Sequence, residues 1–364
     1  MKRNTLWWIV IASVMSGCTS AGYYAQSVKG QMEIWSHSRP ISSVLDDPDV
    51  ADAVKHKLRL ALDIRRFAVD HLHLPDNDSY TEFVDLGRPY SVWSVFAAPE
   101  LSLTPQEWCF LVVGCVTYRG YFDKQDALDF AQQNAAKGLD VYVGGVPAYS
   151  TLGWFDDPIP NTILQYRDEE FAGLIFHELA HQVAFAKGDT IFNESFATTV
   201  EHIGVARWLT STGNRSQIDE YNLRNQRNQI VIDLVLDYRA RLVEVYASEA
   251  PDGVKRDQKQ HLIEELKGEY FRITLNWPGY SGYRYWFDQS INNAQLISVA
   301  TYSDLVPAFE KLLAQHRGDL PRFYAAARAL AEMEKTRRRE VLGSLAGSSS
   351  ESPSSIALFR ARSQ

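Results

Sequence analysis

The sequence predicts an α+β fold, mostly helical, with a small sheet in the N-terminal half and a helical C-terminal half. Three observations carry that expectation. Residues 80–121 are rich in β-branched and aromatic side chains and are broken by Gly87-Arg88-Pro89 and Pro99, the pattern of short strands joined by turns. After Asn161 the apolar residues recur almost throughout at helical spacing. That helical part opens on a proline-free run of helix formers, Phe171-Ala-Gly-Leu-Ile-Phe-His177-Glu178-Leu-Ala-His181, whose two histidines fall one turn apart.

Composition narrows the partners. The net charge is −8, and −10 without Lys2 and Arg3, which argues against nucleic acid. Nine tryptophans imply that several rings line a groove or stiffen the core. Residues 1–17 read as an export signal: Lys2-Arg3 is a positive start, and Leu6 to Met15 is well short of the roughly 20 apolar residues that span a bilayer. Val14-Met15-Ser16-Gly17-Cys18 resembles the bacterial lipoprotein box, with Met15 where leucine is usual. That resemblance implies lipidation at Cys18. Thr19, where a retention signal would have aspartate, implies an outer-membrane anchor facing the periplasm.

Taken in order, residues 18–45 read as a tether and a first packed segment. Asp46-Asp47-Pro48 is expected to start an amphipathic helix over 48–73. The sheet-containing part covers about 80–160 and includes a helix capped by Asp123 and ended by Gly138. The loop from Val146 to Pro158 is loaded with turn formers and rings and is expected to wall a substrate cleft. Residues 166–187 and 190–212 form the two helices of the site region, with Gly188 closing the first. Further helices are expected over 215–248, 253–275, 303–315 and 320–343, so that one domain runs from 46 to 346. The charge run Lys335 to Glu340 reads as a solvated helix face, and the Ser-rich tail 347–364 as disordered. Cys109 and Cys115 would stand about 20 Å apart on one extended strand, so a disulfide requires the chain to fold back near Gly114. A bridge and two buried thiols both remain open.

The chemistry centres on His177-Glu178-Leu-Ala-His181, which reads His-Glu-x-x-His. On a helix, both imidazoles can meet one metal ion while Glu178 flanks the place of an activated water. A third protein ligand is needed, and Gln182 to Gly188 holds no histidine. Glu194 supplies a carboxylate from the next helix; two histidines and a glutamate leave zinc a fourth, open position. The expected reaction is hydrolysis of a peptide substrate with one zinc per chain and Glu178 carrying the proton from water to the leaving amine. Asn193 is a candidate for orienting the ligands from behind. Asp156 or Asp157 is a candidate for holding a substrate ammonium group, though both also suit a turn before Pro158.

Asn193-Glu194-Ser195-Phe196-Ala197-Thr198 resembles the Asn-Glu-Gly-Phe-Ala-Ser signature of the aminopeptidase-N type gluzincins. The segments Val113 to Phe122 and Ala148 to Pro158 extend the likeness over most of the chain to a family of bacterial proteins named as aminopeptidases. The resemblance implies a zincin-like fold and an aminopeptidase activity. It implies a further glutamate at Glu201, seven residues past Glu194, as a second candidate for orienting the ligands from behind. It also implies a tyrosine at the oxyanion; Tyr149, Tyr283 and Tyr302 are candidates among eighteen. Two departures stand out: the spacing from His181 to Glu194 is shorter than in aminopeptidase N, and no Gly-x-Met-Glu-Asn segment is present. An endopeptidase of the same class is therefore an alternative. A second is a non-catalytic periplasmic binding or assembly lipoprotein with a structural metal, against which Glu178 argues, since such a site has no use for a general base.

Overall fold

A computed structural model describes residues 22–110, 114–148, 151, 155–213 and 215–347. The expected export signal, Cys18, Tyr149 and nearly all of the Ser-rich tail lie outside these residues.

The chain begins with α1 (22–37), then β1 (Arg39–Pro40), α2 (Ile41–Asp46) and α3 (Asp52–Leu72). Asp46-Asp47-Pro48 does not start the long helix. Asp47 folds its carboxylate back on the amide of Asp49 at 3.0 Å and pairs with Arg39 at 2.8 Å, so the segment is a turn between α2 and α3. Leu58, Ala61, Ile64, Ala68 and Leu72 form the buried stripe of α3.

The α+β class is as the sequence predicts, with the strands confined to the N-terminal half. β2 (Glu82–Val84) lies between β1 and β8 (Ile159–Pro160). A larger antiparallel sheet places β3 (Val92–Pro99) between β6 (Tyr118–Tyr121) and β7 (Leu139–Val146). Its register sets Phe96 between Tyr118 and Tyr142 on one face, while Val95, Arg119 and Val143 share the other. That second face is covered by α4 (Lys124–Ala135), whose N-cap Asp123 accepts from the amides of Gln125 and Asp126. β4 (Trp108–Phe110) and β5 (Gly114–Val116) form a hairpin in which Cys109 stands opposite Cys115, and the two are joined by a disulfide. The chain does fold back at Gly114, at φ +79°.

The rest is helical: α5 (Asp168–Ala180), α6 (Thr190–Thr212), α7 (Arg215–Ala247), α8 (Asp252–Thr274), α9 (Arg284–Phe287), α10 (Asn293–Ser303), α11 (Val306–Gln315), α12 (Leu320–Glu332) and α13 (Lys335–Gly347). α5 stops well before the expected residue 187. The helix expected over 303–315 is α11, and α10 ahead of it is not among the expected helices; Asn292 caps α10, accepting from the amide of Gln295 at 3.0 Å. The largest core packs α3, α5 and α6 with α11 and α12; a second unites β3, α7, α8 and α10. No helix among the described residues is long and apolar enough to cross a membrane.

The charge run on α13 is not wholly solvated. Arg338 is 3% exposed, lies over the ring of Phe192, and pairs with the fully buried Asp189 at 3.2 Å; Arg339 pairs with the same carboxylate. Asp189 caps α6, accepting from the amide of Phe192, and its buried charge draws the two arginines inward.

Candidate metal centre

The site is built on two neighbouring helices that are buried almost all round. α5 carries His177 and Glu178, and His181 is its C-cap with a helical backbone, so the one-turn spacing survives to the end of the helix. α6 carries Glu194 and Glu201 one face apart by two turns. Gly173 lets the helices approach: a Cβ there would stand 3.1 Å from the Glu201 side chain. The connection is short and is clamped by Asn193, which accepts from the Ala186 amide at 2.7 Å and donates to its carbonyl at 3.1 Å. Asn193 therefore fastens the turn that delivers Glu194 rather than touching a ligand imidazole.

The three expected ligands converge. Glu194 Oε2 lies 3.4 Å from His177 Nε2 and 3.6 Å from His181 Nε2, and all three side chains are buried. Ligand atoms at about 2.0–2.1 Å from a tetrahedral zinc stand about 3.4 Å from one another, which matches the spacing of Glu194 to each imidazole, and all three ligand atoms lie within 4.8 Å of one another. Among the described residues, these form a group that could hold a metal ion. Behind them, His177 Nδ1 meets Glu201 Oε2 at 3.1 Å. This bond is the kind that fixes a ligand imidazole in one tautomer. His181 Nδ1 has no such partner among the described residues.

Electrostatics tie the group together. Burial opposes the charging of His177, yet Glu194 and Glu201 overcome it and hold its proton affinity well above the usual histidine range. Glu194 remains ionised despite burial, because both imidazoles lower its pKa. Glu178 is shifted upward by burial, with His177 and His181 pulling the other way.

The tyrosines divide. Tyr302, on α10, is held well above its usual pKa by burial and then by the charges of Glu194 and Glu178, and α10 packs against α6. Tyr283 packs with the second core and is pushed up to about 12 by burial alone. Tyr118 escaped the sequence reading. Its hydroxyl donates to Glu194 Oε1 at 3.4 Å, and its pKa too is well above the ordinary value, through burial and the charge of Glu194. The only trace in the sequence is its place in the Val113 to Phe122 segment. Asp157 is buried, accepts from the Thr151 amide at 2.8 Å, and is raised to about 7 by burial. Asp156, beside it, is exposed.

Fold and site together define an α+β protein with a buried His-His-Glu group able to hold a metal ion and a glutamate beside it. The chain belongs to the Aminopep family: the family model, described as "Putative aminopeptidase", matches residues 22–342. No curated protein and no solved structure matches the chain.

Proposed function

We propose that the protein is a zinc-dependent peptidase, acting as an aminopeptidase at the bacterial envelope. The observation that carries this reading is the convergence of His177, His181 and Glu194, their ligand atoms within 4.8 Å of one another, with Glu178 alongside. A structural site needs no such carboxylate. The family to which the chain belongs supports the peptide substrate.

His177, His181 and Glu194 would hold the ion, with Glu201 orienting His177. Zinc, when bound, supplies Lewis-acid polarisation of the scissile carbonyl and acidifies water. Glu178 accepts a proton from the attacking water and delivers it to the leaving amine nitrogen. Tyr302 and Tyr118 keep their protons and are the donors for the developing oxyanion. Of the two loop aspartates, Asp156 is the one open to a substrate ammonium, because Asp157 is buried beneath the loop. Lipidation of Cys18, with an outer-membrane anchor facing the periplasm, completes the proposal.

Glu178→Gln tests it. Metal analysis should find about one zinc per chain in both proteins. Hydrolysis of a peptide panel should fall by about 10²–10⁴-fold in the variant. Equal cleavage by wild type and variant would sink the mechanism, and cleavage of N-terminally acetylated peptides would replace the aminopeptidase with an endopeptidase.

A further inference from the structure

The outer edge of β6 has an uncommon partner. The side-chain amide of Gln26, on α1, donates to the carbonyl of Gly120 and accepts from the amide of Phe122, both at 3.3 Å. One residue of an added strand would make the same pair of bonds. Because Gly120 and Phe122 turn outward, strand alternation brings the backbone N–H and C=O of Tyr118 to the same edge. Tyr118 is also the residue whose hydroxyl reaches Glu194, at 3.4 Å. The edge thus leads from the metal group to α1 within two residues.

Helix α1 is held there closely. A Cβ on Gly30 would come within 2.2 Å of the Phe122 ring, so only glycine allows the approach. The Arg119 guanidinium lies 4.0 Å from the centre of the Tyr23 ring, a second clasp between helix and strand.

We propose that an extended peptide pairs with the outer edge of β6 at Tyr118 and that Gln26 stops it at Gly120, so that α1 sets the length of substrate accepted on that side of the scissile bond. The occupant is a peptide because the edge already accepts an amide in strand fashion. At about 3.4 Å per residue, the space between Tyr118 and the stop admits about two residues. A cleft closed on one side suits an enzyme that works at a chain end. The inference rests on the peptidase reading and deepens it.

The test compares wild type, Gln26→Ala and Gly30→Leu, the last of which forces α1 off the strand. Each zinc-loaded protein is given an unstructured decapeptide, and product lengths are read by mass spectrometry. Wild type should release fragments of about one or two residues from one end. Both variants should release fragments of about four residues or more at least tenfold faster than wild type. Long fragments from wild type, or unchanged product lengths in Gln26→Ala, overturn the proposal even if Gly30→Leu proves too unstable to assay. Binding is read separately in Glu178→Gln by amide hydrogen exchange with tetra-alanine. Exchange at Tyr118 should slow by about tenfold; no slowing overturns the docking edge. Slowing without hydrolysis by wild type would support that edge while removing the peptidase reading.

Discussion

Asp157→Asn tests how the loop beside the site is held. Asp157 is 3% exposed, and its Oδ1 has no partner among the described residues, while Oδ2 accepts from the Thr151 amide. Burial raises its pKa from 3.8 to about 7; the Thr151 bonds act against the shift, and the charges of Glu178 and Asp156 add to it. The folded state therefore holds this proton more tightly than the unfolded chain does. Between about pH 4 and about pH 7 the unfolded chain has released it and the folded protein has not, so this contribution to stability is lost as pH rises. A shift of roughly three units at about 1.4 kcal/mol per unit sets a ceiling of about 4 kcal/mol. Asparagine cannot ionise and can still accept from Thr151. The variant should thus be about 2–4 kcal/mol more stable than wild type at pH 8, with the gap closing toward pH 4. Urea denaturation of both metal-free proteins across this range gives the difference, in which other titrating groups cancel. A difference that stays flat from pH 4 to 8 would refute the reasoning.

Two further outcomes follow from packing around the metal group. Glu201→Ala frees Nδ1 of His177 and should weaken zinc binding by about 10–100-fold in competition with a chelator, while the buried Nδ1 left without its partner should cost the metal-free protein about 1–3 kcal/mol in denaturant unfolding. Asp189→Ala removes the cap of α6 and strands the buried Arg338, which should cost about 4 kcal/mol in denaturant unfolding, whereas Arg339→Ala, at the more open partner, should cost much less.

The parts legible in the residues are the local ones. His177, Glu178 and His181 could be read because helix geometry alone puts them on adjoining faces, and Glu194 because a short connection returns the next helix beside the first. The α+β class followed from a switch in hydrophobic period after Asn161. Helix ends were less legible: Asp47 turned to its own neighbours instead of capping α3, and α5 gave way after His181 to tighter turns, with Gln182 and Val183 donating three residues back. Neither outcome has a signature in the local pattern.

Other features depended on which distant elements pack together. Tyr118 reaches Glu194 across 76 residues, and Gln26 reaches Gly120 across 94. Arg338 looked like one of several solvated charges, and only the buried Asp189, far along the chain, gives it a reason to turn inward. The pairing of Cys109 with Cys115 stayed open until the hairpin brought them opposite. Spacing along a helix is set by the covalent chain and can be read residue by residue. The strand edge beside the metal group, and the helix that closes it, arise from burial and hydrogen bonding between segments that the linear order keeps apart.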